Sequence, residues 1–382
     1  MHGTLDSLFH AERRPLAALT AIAQDWRGLT SRALEPNGFY EPAFALAAAP
    51  FLGRDAQAIL IWSRQSPARL VGLFPLRIAR RYGLGPNVLA GWLHPYATLG
   101  TPLVERDNAD GVIAAWLTHI ARDPALPSIA FLPTQTVDGA FCKALDRVLV
   151  ARGLRHADFG RHRRAHLAPG RDRAGYLTEA SGAKHRKELP RRRRRLAELG
   201  AISHEIVTRE PDVARALDHF FVLEANGWKG SAGTAATQSE DTRDFFRAAV
   251  TGLARDGKVR IDVLSVGGRA IAATIVLRSG DTMFGWKTAY DETYAKYSPG
   301  AQLMLDLTQS VLADASVARL DSCTSAGHPL VEHLWGDRLS IADRLIGVRP
   351  ERSAAFSAAC ALETMRRTGL HYAKALRDRL RG

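Results

Sequence analysis

Hydrophobic and polar positions alternate most regularly in the second half of the chain. Val259–Val266 alternates as a half-buried strand does, and the Gly267-Gly268 pair that follows is a two-residue hairpin signal. Two further strands are predicted at 270–278 and 282–289. A helix is predicted to begin at Ser298-Pro299-Gly300, because apolar residues then recur at helical spacing as far as Leu312.

The order of predicted elements indicates the fold class. In the second half it is strand, helix, helix, three-strand meander, helix, strand, helix, strand, which forms a mixed sheet with helices on its faces. The remaining ranges are strands 201–208, 318–323 and 339–348, and helices 211–226, 240–256, 329–335 and Ser353–Arg381. The first half repeats this plan more faintly, with strands 57–63, 70–78, 88–93 and 128–132 and helices 110–122 and 139–151. We therefore predict an α/β fold of two similar domains, 1–165 and 166–350, followed by a C-terminal helix at 351–382.

Composition removes several classes of protein. No apolar run approaches the roughly 20 residues needed to cross a bilayer, and the N-terminus lacks the pattern of a signal peptide. The three cysteines, Cys142, Cys323 and Cys360, form no disulfide framework and no metal-binding spacing. We expect a cytoplasmic protein without stable membrane insertion and without a metal.

The positive charge is concentrated in one part of the chain. The 382 residues carry a net charge of +13, and the segment 152–195 alone carries 15 Lys/Arg against 4 Asp/Glu. A local concentration of this kind indicates one anion site or one exposed helix rather than uniform polyanion binding.

The predicted start of the helix at Pro299 is a candidate anion site. A helix beginning here presents unpaired N–H groups and the positive end of its dipole, which suit a phosphate or pyrophosphate, and Gly300 allows close approach to the backbone. A plain strand-to-helix turn with no ligand is an equally valid interpretation of this segment alone.

Several local strings resemble one family. They are 191–199 followed by Gly200, Glu-Ala-Asn-Gly-Trp-Lys-Gly at 224–230, Lys-Thr-Ala-Tyr-Asp at 287–291, Ser-Pro-Gly at 298–300, and Asp321. Together they resemble the BioF2-like acetyltransferase family, which includes CelD-type cellulose-biosynthesis proteins and belongs to the GNAT superfamily. That family is related to the Fem-type tandem-GNAT transferases. The resemblance covers about 176–348 and implies two tandem GNAT-like acyl-CoA N-acyltransferase domains, the first of them degenerate.

The resemblance implies a donor, an acceptor and a set of site residues. The donor would be acetyl-CoA or another acyl-CoA, and the acceptor an amine or hydroxyl of a sugar or other glycan, an envelope precursor or a small metabolite. The residues implied to bind the acyl-CoA are Gly285, Trp286, Lys287, Ser298, Gly300, Ala301 and Gln302. Where GNAT enzymes carry a Gln/Arg-x-x-Gly-x-Gly/Ala loop, Gly300 matches, but Tyr297 and Gln302 do not.

Two residues are candidates for catalysis and three for binding the acceptor. Asp321 could deprotonate or orient the acceptor, or simply cap the next turn, and Tyr290 could protonate the leaving thiolate or only pack against the sheet. The acceptor candidates, each with an alternative structural role, are Glu224, Trp228 and Lys229. A buried, inert thiol is the favoured interpretation of Cys323, and His328 is interpreted as a helix-start residue.

The run of five arginines at 191–195 leaves the donor open. Arginines bind phosphates through two parallel N–H groups, so the run could contact the 3′-phosphate of CoA or the backbone of a tRNA. A solvated helix with one or two arginines that bind ligand is the favoured interpretation. Two alternatives to an acyl-CoA enzyme stand: a Fem-type transferase that uses aminoacyl-tRNA, and a basic module without enzymatic activity that binds polyanions.

Overall fold

The computed structural model describes residues 8–83, 85–168, 175–176, 183–227 and 236–381. In chain order the helices and strands are β1 Phe9–Pro15, α1 Ala23–Arg32, α2 Pro42–Leu52, β2 Gln57–Ser63, β3 Leu70–Ala79, β4 Val88–Gly91, β5 Leu103–Val104, α3 Ala109–Arg122, β6 Ile129–Thr136, α4 Ala140–Ala151, β7 His156–Leu167, α5 Ala183–Ala197, β8 Ile202–Val207, α6 Glu210–Asn226, α7 Glu240–Arg255, β9 Val259–Val266, β10 Arg269–Ser279, β11 Thr282–Tyr290, α8 Pro299–Ala313, β12 Arg319–Asp321, β13 Asp337–Gly347 and α9 Ser353–Arg381.

The chain divides into two compact units that are not contiguous in sequence. The first unit contains Met1–Asn37, Gly53–His162 and Ser340–Gly382, and the second contains Gly38–Leu52 and Arg163–Leu339. The second unit therefore includes α2, a helix that comes from the early part of the chain. The predicted boundaries at 165 and 350 stay a prediction about domains that fold on their own.

The first unit is built on a mixed sheet. Its strands follow the order β1-β2-β3-β4-β6-β13, with β5 paired to β3. The pairs are antiparallel except β4 with β6, which α3 connects as a crossover. One core cluster joins this sheet to α3 and α4, and Phe74 stacks on Trp116 there with ring centroids 4.6 Å apart. A smaller cluster packs the start of α9 through Phe356 and Ala359.

The second unit repeats this arrangement. Its strands follow the order β7-β12-β11-β10-β9-β8, and only β11 and β12 are parallel, with α8 as the crossover between them. On one face of the sheet α8 packs through Leu303, Met304 and Leu307. Phe44 of α2, Phe245 and Phe246 of α7, and Trp286 of β11 form an aromatic cluster elsewhere in the unit.

The predicted fold class is confirmed, since both units are α/β with a mixed sheet. β2 and β9 have the predicted bounds, and most other predicted elements differ by one to four residues at an end. One predicted element is wrong. Residues 329–334 form turns rather than the predicted helix, and the chain enters them through Gly327, which has a left-handed backbone (φ 70°).

Candidate active site

A β-bulge in β11 separates this strand from its parallel neighbour. β11 pairs with β12 only from Thr282 to Phe284, where Phe284 lies opposite Asp321. On its other edge β11 changes register against β10, since Gly285 pairs with Val276 but Lys287 pairs with Ile275, so Trp286 is the extra residue. A bulge bends its strand and raises the local twist. The pairing between β11 and β12 ends at this bend.

A cavity of about 880 Å³ opens where the two strands separate. This volume lies within the range of small-molecule binding sites in proteins. One wall is β11 from Gly285 to Tyr290, and the others are the start of α8 and two loop segments, 322–324 and 328–331. A methyl group on Gly285 would lie 3.3 Å from the Ser322 carbonyl oxygen, so glycine keeps this entrance open.

The start of α8 borders the cavity in the manner expected for an anion site. Ser298 precedes the helix with a left-handed backbone (φ 56°), and Pro299 occupies the first turn. Cys323, across the cavity, is also left-handed (φ 57°). Non-glycine residues in this conformation are strained, and such strain concentrates at functional sites.

An arginine of α5 reaches the same place. Arg192 donates to the Ser298 hydroxyl and to Glu188 Oε1 (2.8 Å), and both Arg192 and Glu188 border the cavity. Lys287 borders it from β11. Two cationic side chains therefore line the cavity, and one of them, Arg192, contacts Ser298 at the helix start.

Six of the predicted site residues line this cavity. They are Gly285, Lys287, Tyr290, Ser298, Gly300 and Ala301. Burial, together with the nearby Glu292 carboxylate, raises the pKa of the Tyr290 phenol above its usual value. Its hydroxyl therefore stays protonated, and able to donate, at neutral pH.

Two other predicted acyl-CoA residues are used in packing. Trp286 borders the cavity, but its indole stacks on Phe246, with ring centroids 4.4 Å apart. Gln302 is fully buried and does not line the cavity. Its amide donates to the carbonyl oxygens of Leu189 (3.3 Å) and Tyr297 (3.4 Å), which ties α5 to α8.

Asp321 is held in a buried ion pair instead of facing the cavity. Its Oδ2 accepts from Arg164 Nη2 at 2.5 Å, and both side chains are only 3% exposed. Its Oδ1 accepts the Cys323 N–H at 2.9 Å, which fixes the turn after β12. Burial opposes the charge on Arg164, but Asp321 outweighs it, and the pKa of Arg164 lies above its usual value.

The predicted acceptor residues lie apart from the cavity or outside the described chain. Glu224 is buried, does not line the cavity, and accepts the Ala236 N–H at 2.8 Å. It holds the segment at Ala236, just before α7, to the end of α6. Trp228 and Lys229 lie outside the described residues.

Several residues that line the cavity were not predicted to act there. His328 borders it next to Leu330, whose N–H reaches His328 Nδ1 in a long contact of 3.4 Å. Thr274 of β10 lines the cavity as well and hydrogen-bonds Thr288 of β11 at 2.9 Å between hydroxyl oxygens. The pairing of these two strands was predictable from the hairpin, but the approach of the loop at 328 was not.

Two arginines of the run at 191–195 contact other parts of the unit, and three are exposed to solvent. Arg192 contacts Ser298, and Arg193 pairs with Asp306 of α8 at 2.9 Å. Three arginines are exposed and have no ion-pair partner in the part of the chain that the structure describes: Arg191, Arg194 and Arg195.

The first unit has the same strand arrangement, with smaller cavities beside its parallel pair of strands. β4 and β6 are parallel over two residue pairs and then separate at Gly91. Gly91 borders a cavity of only about 10 Å³ together with Leu89 and Leu132, and it also borders a larger one, of about 530 Å³, together with Ala90 and Phe131. Gly100 donates to the Thr134 carbonyl at 3.1 Å, and a methyl group on Gly100 would lie only 2.3 Å from the Pro133 oxygen.

Two absences concern possible cofactors and membranes. Among the described residues no group of three or more His, Cys, Asp and Glu side chains could hold a metal ion. Within the same part of the chain, no helix has both the length and the apolar character needed to cross a membrane.

Comparisons with known proteins agree with this architecture. Residues 183–328 match the family model described as an acetyltransferase (GNAT) domain. No curated protein matches the chain.

Solved structures of similar fold match at low identity. FemX is 10% identical with a TM-score of 0.58, over 86% of this chain and 96% of its own. A conserved protein of unknown function from Bacteroides thetaiotaomicron is 14% identical with a TM-score of 0.52, over 85% and 97%. The C-terminal domain of a protein named as a lysylphosphatidylglycerol synthetase from Agrobacterium fabrum is 13% identical with a TM-score of 0.53, over 90% and 95%. At these identities the similarity concerns the fold.

Proposed function

We propose that the second unit is an acyl-CoA-dependent acyltransferase. The observation that carries the proposal is the edge of β11 from Gly285 to Lys287, which loses its pairing with β12 where the 880 Å³ cavity begins. The cavity runs from this edge to the start of α8. The free edge of β11 suits an extended donor arm, and the start of α8 suits a phosphate group.

The two ends of an acyl-CoA have different requirements. The pantetheine arm contains amide groups and is extended, so it can add to β11 through main-chain hydrogen bonds as an extra strand would. The phosphates suit the N–H groups at the start of α8, with Arg192 and Lys287 supplying charge.

Transfer then needs one proton acceptor and one proton donor. The acceptor amine attacks the thioester carbon, its proton passes to His328, and the C–S bond breaks as Tyr290 protonates the leaving sulfur. Histidine is the side chain whose ordinary pKa lies nearest neutral pH. The Leu330 N–H contacts His328 Nδ1 at a long 3.4 Å, so a proton on this nitrogen would replace only a weak hydrogen bond. We assign Asp321 a positioning role, because it holds the turn at Cys323.

The narrower assignment follows the family resemblance. We propose a BioF2-like transferase, with acetyl-CoA as the simplest donor and an amine or hydroxyl of a sugar, an envelope precursor or a small metabolite as the acceptor. The GNAT domain match at 183–328, which includes α5, β11 and α8, supports the acetyltransferase class, and the narrower assignment rests on the resemblance alone.

A second candidate donor is an aminoacyl-tRNA. The observation in its favour is the row of exposed arginines at Arg191, Arg194 and Arg195 on α5, the helix that also supplies Arg192 to the cavity. Binding of this kind would weaken steeply with salt, because each phosphate contact releases counterions.

Two neighbouring arginines separate the candidates. Thermal unfolding of the full chain is measured with acetyl-CoA, longer acyl-CoAs, CoA and tRNA, since a specific ligand raises the melting temperature by mass action. We expect Arg192→Gln to weaken acetyl-CoA binding by about tenfold or more, the value of a charge-assisted contact, and Arg191→Gln to leave it unchanged.

The opposite result would favour the alternative. A stabilisation by tRNA alone that is reduced in Arg191→Gln would transfer the assignment to the aminoacyl-tRNA donor.

A second variant tests the site itself. Gly285→Val, which narrows the gap beside the Ser322 oxygen, should abolish the stabilisation by acetyl-CoA. Unchanged acetyl-CoA binding in both Gly285→Val and Arg192→Gln would contradict the proposed site.

A further inference from the structure

Four arginines line a second cavity, which lies in the first unit. It has a volume of about 530 Å³, and its charged lining residues are Arg77, Arg80, Arg81 and Arg366 against one carboxylate, Asp55. β3 and the segment just after it supply three of these arginines, and α9 supplies the fourth. Its apolar wall includes Phe131 and Pro133 of β6.

One buried carboxylate orients two of these arginines through hydrogen bonds. Glu363 is fully buried, and its two oxygens accept from Arg81 at 2.8 and 3.0 Å and from Arg366 at 3.2 and 2.7 Å. Burial would raise the pKa of Glu363, but the hydrogen bonds from Arg366 and Arg81 outweigh it and hold the pKa at about 2. The guanidinium of Arg81 also lies over the Phe131 ring, 3.7 Å from its centroid.

The charges around this cavity do not balance. Arg367 also donates to Glu363 at 2.6 Å and pairs with Asp343. With Arg367 included, the cluster holds five guanidinium groups and three carboxylates, an excess of two positive charges. Like charges held close together repel, and an anion relieves the repulsion.

The attachment of α9 explains only part of the cluster. The pairs of Arg81 with Glu363 and of Arg367 with Asp343 of β13 fasten the helix to the sheet, whereas the pairs of Glu363 with Arg366 and Arg367 lie within α9. Arg80 is exposed and has no ion-pair partner among the residues that the structure describes, and Arg77 reaches Asp55 only at 4.0 Å. These two arginines line the same cavity, and within the described residues neither has an ion pair as close as those to Glu363.

We propose that this cavity binds a phosphate ester, with Arg77, Arg80, Arg81 and Arg366 around the phosphate and Phe131 and Pro133 against the apolar part of the ligand. Guanidinium groups bind phosphate oxygens through paired N–H donors, and two of the four are already oriented by Glu363. A phosphate dianion matches the excess of two charges. The site uses residues of the first unit only, so it does not rest on the function proposed for the second.

The test uses a soluble ester and a lipid, because both carry the same group. Binding of phenyl phosphate is measured by calorimetry at constant ionic strength, and binding to phosphatidic acid vesicles is measured by cosedimentation against phosphatidylcholine vesicles. Arg80→Gln removes a lining charge without touching Glu363. Arg147→Gln, at an exposed pair with Asp110 in the same unit, removes the same charge elsewhere.

We expect one of the two probes to bind, Arg80→Gln to weaken that binding about tenfold, and Arg147→Gln to leave it unchanged. Binding of phenyl phosphate identifies a soluble ester, and binding of vesicles alone identifies a lipid headgroup. The proposal is overturned if neither probe binds, or if both variants weaken binding equally, since the effect would then be one of net charge.

Discussion

Replacing Asp321 by asparagine leaves Arg164 charged in the interior of the second unit. The two side chains are each 3% exposed, and Arg164 Nη2 lies 2.5 Å from Asp321 Oδ2. Water therefore cannot reach the guanidinium group to replace the lost carboxylate charge. The asparagine would also turn either a neutral oxygen or an N–H₂ group toward the guanidinium. Breaking a buried pair by removing one partner typically costs about 3–5 kcal/mol, and we expect a loss of this size in the free energy of unfolding.

Urea unfolding followed by tryptophan fluorescence measures this loss, and a double-mutant cycle tests its origin. Arg164→Met alone should be destabilising as well. The double variant Asp321→Asn/Arg164→Met should be more stable than the sum of the single effects by about 2–3 kcal/mol, because no charge is then left unpaired. Asp218→Asn is the matched control, since its pair with Arg247 is about half exposed and should contribute under about 1 kcal/mol.

The same variant decides between a structural and a catalytic Asp321. If Asp321→Asn unfolds within about 1 kcal/mol of the parent chain but loses acyl transfer, the assignment of a positioning role is refuted. Asp321 would then be the base that the family resemblance implies.

Two further predictions concern other parts of the chain. Phe44→Ala should destabilise the second unit by about 3–5 kcal/mol in urea unfolding, because Phe44 is fully buried against Phe245 and Trp286, whereas Val222→Ala at an exposed position should change stability by less than about 0.5 kcal/mol. Since the pKa of Glu363 is lowered from 4.5 to about 2, its stabilisation should be complete above pH 4.5 and be lost as the pH falls toward 2. Glu363→Gln should lose this part of the acid dependence, and an unchanged acid profile of unfolding would contradict the ion-pair cluster.

Local pattern was sufficient for the elements whose partners are close in sequence. The hairpin of β9 and β10 was predictable, because its turn chemistry and its alternation agree within about twenty residues. β7 was missed because arginines and histidines dominate its length, so it resembled a basic linker. α2 was missed for another reason. It is apolar on all sides, and its partners lie some 200 residues further along the chain.

The same distinction between local pattern and distant partners applies to the residues of the candidate site. Gly285, Lys287, Ser298 and Gly300 were predictable, because a single strand–loop–helix segment carries all of them. The partner of Asp321 was not, since Arg164 comes from β7, a strand that the sequence pattern concealed. The place of His328 at the cavity also depends on a loop without regular structure, for which no periodicity exists.

The position of α2 has a consequence for how the chain is made. Phe44 leaves the ribosome about 200 residues before Phe245, which at ordinary rates of synthesis is an interval of about 10–40 seconds. During this interval an apolar helix lacks Phe245 and Trp286, the aromatic partners from the later part of the chain. The second unit therefore cannot complete its core until Phe245 and Trp286 have been synthesised, and α2 keeps its apolar surface without these partners until then.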